Sequence, residues 1–298
     1  MKVTKGIILA GGTGSRLYPL TIAANKQLFP LYNKPVLYYP LSLLMLAGIR
    51  DILIISTEKD RSTIQELLGD GERLGIHCSY AIQQAPRGLP DAFIVGETFL
   101  QNEPCMLVLG DNFLYGADLS NVLQTAIQQA SGAHLFVHHV EDPSAYGIMT
   151  VDAHGSIQSI VEKPQNSQSH LGIIGLYIFD GNATVYAKQL HPSQRNELEI
   201  VDLIKKYQAN DTISYSQFGR GFTWYDTGNP DDLLEVGNFV RTIETKQGLL
   251  VASPEEIALR QHFISVQQFE RQIADMPNGV YKKTLIKFFN ETNASNTH

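Results

Sequence analysis

The stretch KGIILAGGTGSRL, residues 5–17, joins a short apolar run to a glycine-rich loop. Its first six residues have the length and the Ile and Leu content of a strand that is covered on both faces of a sheet. Gly11, Gly12 and Gly14 let the backbone approach a ligand closely and turn its N–H groups toward a polyphosphate. The stretch therefore predicts an α/β protein with a phosphate-binding loop after its first strand.

The loop matches neither of two common phosphate-binding motifs. Leu17 stands where the dinucleotide fingerprint needs its last glycine, and the Gly-Lys-Ser/Thr of a Walker A loop does not follow. Arg16 adds a planar guanidinium that suits phosphate oxygens, and Lys26 could supply a second positive charge. An ordinary glycine turn beside two surface cations is the alternative that these residues leave open.

Further segments extend the α/β pattern. Short apolar runs predict strands at 52–56, 106–109 and 135–140, and a buried helix is predicted at 36–47, between Pro35 and Gly48. The alternation of strand and helix predicts a doubly wound, mostly parallel mixed sheet of Rossmann-like type. Later segments rich in β-forming residues predict a β-rich part that would bind a sugar; they are 147–151, 157–162, 173–179 and 214–218.

The C-terminal part has helical patterns. Apolar side chains at Ile200, Leu203, Ile204 and Tyr207 predict a helix, and Asn196 with Glu199 three residues later resembles its N-terminal cap. Ser253, followed by a proline and two glutamates, predicts another helix start. We expect an α/β domain over residues 1–243, a helical extension over 244–292, and a disordered tail from residue 293.

Composition excludes several classes of function. The 298 residues carry a formal net charge of -7, so a basic surface for nucleic acid is not expected. No apolar run reaches the roughly 20 residues of a membrane helix, and the N-terminal run is too short for a signal peptide. The two cysteines form no CxxC pair. We expect a cytoplasmic protein with neither nucleic-acid nor membrane partners.

Two aspartates are candidates for a metal site. Asp111 follows the strand at 106–109, and Asp226 follows an aromatic pair and precedes Gly228. Ligands of open α/β sheets bind beyond the carboxyl ends of strands, and Mg²⁺ typically takes one or two carboxylates beside phosphates. The pattern predicts one Mg²⁺ site formed by both aspartates. The open alternative is that each aspartate caps a turn.

The Glu162-Lys163-Pro164 segment ends a predicted strand. Lys163 could hold a sugar phosphate, and Glu162 could accept hydrogen bonds from sugar hydroxyls. The proline is expected to favour extended backbone at Lys163. A solvated charge pair at a strand end is the alternative.

Taken in order, these segments resemble the glucose-1-phosphate thymidylyltransferases, a family of sugar-1-phosphate nucleotidyltransferases. Further matches run through nearly the whole chain, among them 34–41, 46–52, 68–71, 197–200 and 254–258. The resemblance implies a Mg²⁺-dependent enzyme that joins dTTP and glucose 1-phosphate into dTDP-glucose and pyrophosphate. It also implies a homotetramer, with the helical extension over 244–292 at a subunit interface. The dTDP-glucose product would lead toward dTDP-deoxysugars such as rhamnose for cell-surface polysaccharide.

The resemblance also implies roles for single residues. Arg16, Lys26 and Lys163 would be the catalytic cations, and Asp111 and Asp226 would hold Mg²⁺. The residues implied to bind the nucleotide are Gly11, Gly12, Gly14, Gln83, Gly88 and Asp111, with Gln83 reading the thymine edge. Those implied to bind the sugar are Asn112, Gly147, Glu162 and Tyr177. Those implied to form an end-product regulatory site are Gly116, Arg220, Glu256 and Arg260.

The chain departs from the usual family pattern at several places. Residues 87–92 read RGLPDA where Asp-Gly-Leu-Ala-Gln-Ala is usual, so Asp91 replaces a glutamine. Ile174 replaces a threonine, which suggests the hypothesis of a deoxy, amino or otherwise modified hexose. Residues 226–230 read DTGNP in place of Asp-Thr-Gly-Thr-His, and Ser15 replaces a threonine. Ala117 and Ser120 replace histidines of the regulatory site.

The same residues leave other functions open. The same reaction with UTP or another sugar 1-phosphate is the nearest alternative. A glycosyltransferase would use a similar fold and a metal aspartate. Its substrate is a finished sugar nucleotide, however, which has no triphosphate for the glycine loop, Arg16 and Lys26 to bind. A non-catalytic sugar-nucleotide sensor should have lost metal or phosphate residues, whereas both aspartates and all three cations are present.

Overall fold

The computed structural model describes residues 1–12 and 14–295. The strands are β1 Lys5–Ala10, β2 Pro30–Leu31, β3 Lys34–Pro35, β4 Asp51–Ser56, β5 His77–Ile82, β6 Cys105–Leu109, β7 Asn112–Gly116, β8 Ala133–His139, β9 Gly147–Val151, β10 Ile157–Glu162, β11 Leu171–Phe179, β12 Ile213–Gln217 and β13 Phe222–Asp226.

The α-helices are α1 Leu20–Ala23, α2 Tyr38–Leu46, α3 Glu58–Leu68, α4 Asp91–Val95, α5 Glu97–Leu100, α6 Leu119–Gln129, α7 Ala183–Ala187, α8 Ile200–Gln208, α9 Pro230–Gln247, α10 Pro254–Arg260, α11 Val266–Asp275 and α12 Val280–Ser295. Single 3₁₀ turns lie at Ser15–Leu17, Lys26–Leu28, Glu72–Leu74 and Pro143–Ala145.

A nine-stranded mixed sheet forms the centre of the molecule. Its order is β10-β9-β11-β6-β1-β4-β5, and β8 pairs with the other edge of β11 and with β12. The strands β6, β1, β4 and β5 run parallel, as do β12 and β8. The pairs that involve β9, β10 and β11 are antiparallel. The parallel half carries the glycine loop, and the antiparallel half forms the predicted β-rich part.

Helices cover both faces of the sheet because alternate strand residues are apolar on each side. Ile8 packs in one core with residues of α2, α6 and the C-terminal helices, whereas Ile7 packs in the other with residues of α4, α7 and α8. The helix α8 buries the predicted stripe of Ile200, Leu203, Ile204 and Tyr207 against this second core. Burial of such side chains contributes roughly 1.5–3 kcal/mol each before conformational entropy is counted.

A separate two-stranded ribbon positions the candidate metal residues. The strands β7 and β13 pair antiparallel, with Asn112 opposite Asp226. Just beyond the ribbon, the backbone N–H of Thr227 donates to the Asp111 carbonyl at 3.0 Å, and the Thr227 hydroxyl donates to the same oxygen at 2.8 Å. This pairing brings two segments that are far apart in sequence to one point at the sheet edge.

Most predicted elements are confirmed, within two or three residues at their ends. The helix predicted at 36–47 begins later, at Tyr38, because Lys34–Pro35 pairs with Pro30–Leu31 as a short hairpin. The predicted cap at Asn196 is wrong. Helix α8 begins after Glu199, because the Leu198 backbone N–H donates to the Arg87 carbonyl and holds the preceding segment extended.

The C-terminal helices share the core of the first sheet face. Ile257, Ala258 and Phe269 pack in the same cluster as residues of α2, and the predicted start at Ser253 is confirmed, since its hydroxyl accepts from the Glu256 N–H. Helix α9 runs through the predicted boundary at residue 243, so the division into 1–243 and 244–292 stays a prediction. Residues 293–295 continue α12, which contradicts a disordered tail there, and the rest of that tail lies outside the described residues.

Cys78 and Cys105 are both free thiols. Within the described residues, none of the helices combines the length and the apolar character that a membrane crossing requires.

Candidate active site

The glycine loop lies at the carboxyl end of β1, between Lys26 and Gln83. A Cβ placed on Gly11 would lie 2.9 Å from Gln83 Oε1, and one on Gly12 would lie 3.8 Å from Lys26 Nζ. Gly14 has φ 61°, a conformation that L side chains rarely adopt, and it precedes the turn that carries Arg16. The loop can therefore approach a ligand with its backbone, with the Lys26 ammonium on one side and the neutral Gln83 amide on the other.

The two candidate cations next to the glycine loop, Arg16 and Lys26, are each paired with one of the candidate metal carboxylates. Arg16 Nη2 lies 2.9 Å from Asp226 Oδ2, and Lys26 Nζ contacts Asp111 Oδ2. The Lys26 and Asp111 side chains are mostly buried, whereas the Arg16 side chain is 59% exposed. The four residues predicted to hold a triphosphate and Mg²⁺ thus form one cluster whose charges balance before any substrate binds.

The Asp226 carboxyl is in an environment that disfavours its charge. Burial, and then the nearby Asp111 carboxylate, raise its pKa above the ordinary value, although Arg16 and Lys26 oppose this shift. Its Oδ1 atom is buried and has no hydrogen-bond partner among the residues that the structure describes. A divalent cation bound between the two carboxylates would satisfy this oxygen and remove the repulsion between the like charges.

The donor set fits Mg²⁺ that is shared with a substrate. Nowhere in the described part of the chain do three or more His, Cys, Asp or Glu side chains come together in a way that could hold a metal. Two carboxylates are nevertheless enough for Mg²⁺, which keeps several waters and takes its other ligands from phosphates. Asp111 and Asp226 are the residues that would hold it.

The candidate sugar pocket lies between β9, β10 and β11. Gly147 is opposite Glu162 in the sheet, and a Cβ on this glycine would lie 3.1 Å from Val201 and 3.5 Å from Glu162 Oε2. Tyr177 is buried near Glu162, and its burial, followed by that carboxylate, raises the pKa of its hydroxyl. The missing side chain at Gly147 leaves room beside a carboxylate, as a sugar ring requires.

The predicted sugar-binding residue Asn112 lies on the β7–β13 ribbon, opposite Asp226. Asn112 is 2% exposed, and its Oδ1 accepts a hydrogen bond from Trp224 Nε1 at 3.0 Å. Its Nδ2 has no partner within the described residues. Buried polar groups are rarely left unpaired, so this N–H group is suited to a ligand oxygen.

Glu162 is held by cations on the outer side of the pocket. Its Oε1 lies 3.3 Å from Arg195 Nη2 and 3.8 Å from Lys163 Nζ. Burial raises the pKa of the carboxyl, while Lys163 and then Arg195 act in the opposite direction and Glu199 adds to the rise. These residues line a cleft of about 480 Å³ that is open to a phosphate approaching Lys163.

The expected extended backbone at Lys163 is wrong. This residue has φ 44°, in the left-handed region, although proline follows it. Its N–H donates to the Tyr146 carbonyl at 3.0 Å, which continues the hydrogen bonds between β9 and β10 past the strand end. Strained backbone of this kind costs about 1–3 kcal/mol and is concentrated at functional sites.

The structure also corrects the expectation for Ile174. Its side chain is fully buried in the core that contains α2 and α6, whereas Ile173 and Tyr177 belong to the core on the opposite face of the sheet. A hydroxyl lost at residue 174 would therefore be lost from the face away from Tyr177. This placement removes the reason to expect a modified hexose.

The predicted base-reading residues meet beside the glycine loop. Gln83 Nε2 donates to Asp91 Oδ2 at 2.9 Å and lies 3.5 Å from the Gly88 carbonyl. Gly88 has φ 96°, and a Cβ there would lie 2.1 Å from the Leu198 carbonyl, so only glycine fits. In the sequence, Asp91 stands out only as a departure from the family pattern.

Three of the four predicted regulatory residues line one cavity at another part of the molecule. Gly116, Glu256 and Arg260 belong to a cavity of about 320 Å³ between α2, α6 and α10. Arg220 is exposed and is not part of its lining. Burial raises the pKa of Glu256 to about 7, although Arg260 Nε lies 2.5 Å from its Oε1 and opposes this shift.

Gln27 is a candidate site residue that no motif in the sequence assigns to a role. Its side chain is 1% exposed, and its Oε1 has no hydrogen-bond partner in the described part of the chain. It packs under Gly110, where a Cβ would lie 3.0 Å from Gln27 Nε2. Its position next to Lys26 in the sequence was the available signal.

Comparisons with known proteins agree with this geometry. The family model for nucleotidyl transferases matches residues 5–243. The glucose-1-phosphate thymidylyltransferase of Xanthomonas campestris pv. campestris strain B100 is 47% identical over 96% of this chain and 97% of its own length. The protein of the same name from Neisseria meningitidis serogroup A is 46% identical over 95% of this chain and 98% of its own.

A solved structure from Bacillus anthracis, provisionally named a glucose-1-phosphate thymidylyltransferase and in complex with sucrose, superposes with a TM-score of 0.73. It is 33% identical, and the match covers 80% of this chain and 95% of that one. The predicted α/β fold class and the resemblance drawn from the motifs are confirmed. The chain therefore belongs to the nucleotidyl transferase family, and within it to the glucose-1-phosphate thymidylyltransferases.

Proposed function

We propose that this protein transfers a deoxythymidylyl group from dTTP to glucose 1-phosphate and releases pyrophosphate. The observation that carries the proposal is the cluster in which Lys26 contacts Asp111 and Arg16 contacts Asp226 beside the glycine loop. It offers two cations for a triphosphate and two carboxylates for Mg²⁺. The names of relatives that match nearly the full chain support the choice of substrates.

The reaction needs no general base. A phosphate oxygen of the sugar phosphate is already anionic; it forms a bond to the α-phosphorus while the bond from that phosphorus to the bridging oxygen breaks and pyrophosphate leaves. Catalysis then rests on positioning and on neutralising charge. Arg16 and Lys26 would hold the triphosphate, and Lys163 would hold the attacking phosphate. Bound Mg²⁺ would neutralise phosphate oxygens and polarise the α-phosphorus.

We propose that substrate binding exchanges the partners of the charged cluster. Before binding, the guanidinium of Arg16 neutralises Asp226, and the ammonium of Lys26 neutralises Asp111. Triphosphate oxygens would draw both cations toward the nucleotide. The two carboxylates would then face each other without partners, and the resulting negative charge favours a divalent cation.

The sugar pocket supports glucose 1-phosphate as the acceptor. Glu162 can accept hydrogen bonds from hydroxyls, and Asn112 Nδ2, which has no partner among the described residues, can donate one. Ile174 faces the opposite core from Tyr177, so the change from the usual threonine gives no support for a modified sugar. UTP carries the same N3–H edge as dTTP and is therefore the nearest competing nucleotide.

A homotetramer with feedback by a dTDP-sugar belongs to the same proposal. The cavity lined by Gly116, Glu256 and Arg260 supports it, because a cation beside a glycine suits a diphosphate. The exposed Arg220 is not part of this cavity within one chain. Sedimentation of the purified protein tests the tetramer, and inhibition by product analogues at saturating substrate tests the second site.

Pyrophosphate release, with dTTP, UTP, CTP, ATP and GTP each combined with several sugar 1-phosphates, tests the substrate assignment. The expected result is Mg²⁺-dependent release that is fastest with dTTP and glucose 1-phosphate. Turnover only with another pair would keep the mechanism and overturn the substrates. No turnover with any pair would favour a sensor, and transfer from a finished sugar nucleotide would favour a glycosyltransferase.

A further inference from the structure

The side chain of Gln83 is fixed by a carboxylate. Its Nε2 donates to Asp91 Oδ2 at 2.9 Å, and the two side chains belong to residues that are only 7% and 4% exposed. Asp91 begins helix α4, whose Ala92 and Phe93 are fully buried in the core. The carboxylate is therefore anchored by a packed element and cannot move away from the amide easily.

This pairing permits one orientation of the amide. An ionised carboxylate only accepts hydrogen bonds, so the NH₂ group of Gln83 must face Asp91. The reverse orientation would place a carbonyl oxygen against a buried carboxylate and leave both acceptors unpaired, which is costly. The Oε1 atom consequently points to the glycine loop, where a Cβ on Gly11 would lie 2.9 Å from it.

The carbonyl of Gln83 remains available to a ligand. No donor to Gln83 Oε1 is found among the described residues, although its Nε2 has two acceptors near it. The usual glutamine at residue 91 would behave differently, since its amide both donates and accepts and is compatible with either orientation of Gln83. The aspartate removes that freedom.

We infer that Asp91 is a positioning residue for nucleobase recognition, which holds Gln83 with its carbonyl toward the base. This inference rests on the proposed function, because it assumes that the nucleobase lies against Gln83. The fixed acceptor favours thymine and uracil, whose N3 carries a hydrogen. It disfavours cytosine, whose N3 is itself an acceptor.

Asp91→Asn tests the inference because it keeps the shape and introduces a donor. Gln83 can then adopt both orientations. For dTTP we expect KM to rise about tenfold, with kcat within about threefold, the effect of one misplaced hydrogen bond. The ratio of kcat/KM for dTTP over dCTP should fall by about tenfold or more. Asp91→Gln, which restores the usual residue, should also lower the ratio of kcat/KM for dTTP over dCTP.

Asp180→Asn is the matched control. Asp180 follows β11 at the opposite end of the sheet from the glycine loop, where it accepts a hydrogen bond from the Tyr207 hydroxyl at 2.7 Å. The control should leave the dTTP-to-dCTP ratio unchanged. A ratio unchanged within about twofold in both Asp91 variants would overturn the inference.

Equilibrium binding of dTTP and dCTP by calorimetry separates this inference from the proposed function. A wild-type protein that binds dTTP preferentially but releases no pyrophosphate would contradict the proposed function alone. Loss of that binding preference in Asp91→Asn would still support the role of Asp91. A wild-type protein without any preference for dTTP over dCTP would overturn the inference.

Discussion

At Lys163, the contribution of the side chain to activity and the effect of the backbone conformation on stability can be measured separately. Its backbone has φ 44°, its side chain is 42% exposed, and its Nζ lies 3.8 Å from Glu162 Oε1. An exposed pair at that distance contributes little to stability. Replacement by alanine and by glycine removes the ammonium in both cases, but only glycine relieves the backbone.

The two substitutions should therefore agree in activity and differ in stability. Loss of one well-placed electrostatic group costs about 2.7–4 kcal/mol, or 10²–10³ in rate, so both variants should lose about that much kcat/KM. Left-handed backbone costs an L residue about 1–2 kcal/mol, whereas glycine loses about 0.5–1 kcal/mol more backbone entropy. Lys163→Gly should then be more stable than Lys163→Ala by about 0.5–1 kcal/mol.

Pyrophosphate release at varied glucose 1-phosphate gives the activity, and urea unfolding gives the stability. Activity of Lys163→Ala within about threefold of wild type would refute the phosphate-binding role of the side chain. A glycine variant that is less stable than the alanine variant would refute the argument from backbone strain. Each result can occur without the other, so the two parts of the reasoning are tested separately.

Three further predictions concern other parts of the molecule. Asp226→Asn should lower kcat/KM about 10²-fold or more. It should not lower the midpoint of thermal unfolding, because burial and Asp111 raise the pKa of Asp226 and so disfavour its charge. A large fall in that midpoint would contradict the prediction. The pKa of Glu256 is raised by burial to about 7, above its unfolded value of about 4.3, so its contribution to stability is present below pH 4 and is lost as pH rises through 7. The free energy of unfolding of Glu256→Gln, measured in urea relative to wild type, should therefore rise by about 2–3 kcal/mol from pH 5 to pH 8.5. A difference between variant and wild type that does not change with pH would contradict the prediction. Gly147→Ala should raise the KM for glucose 1-phosphate about tenfold, since its methyl group would lie 3.1 Å from Val201 and overfill the pocket. An equal rise in the KM for dTTP would show that the effect is not local to the sugar pocket.

The sequence predicted the parallel half of the sheet because its signals are local. Runs such as residues 5–10 combine strand length, apolar side chains and a following glycine, and no distant contact is needed to recognise them. The cap at Asn196 was predicted wrongly because a distant segment, at Arg87, pairs with the chain just after it. Helix signals of three or four residues are easily overridden by such long-range hydrogen bonds.

The candidate site was predicted residue by residue, but its arrangement was not. Asp111 and Asp226 meet because β7 and β13 pair, and a pairing between strands so far apart in sequence leaves no local pattern. The pairing of each carboxylate with one cation and the contact between Gln83 and Asp91 are likewise visible only in three dimensions. The face occupied by Ile174 could have been predicted, since it lies three residues from Tyr177 on a strand whose side chains alternate.

The central claim is that the protein joins dTTP and glucose 1-phosphate into dTDP-glucose, with release of pyrophosphate. The reaction takes place at the cluster of Arg16, Lys26, Asp111 and Asp226. Phosphorus NMR of the wild-type protein with both substrates and Mg²⁺ tests it most directly, because every phosphorus atom is observed. The account predicts loss of the triphosphate and sugar phosphate signals, with pyrophosphate and a sugar-linked diphosphate appearing in equal amounts. Unchanged substrates, or inorganic phosphate formed without a sugar-linked diphosphate, would contradict it.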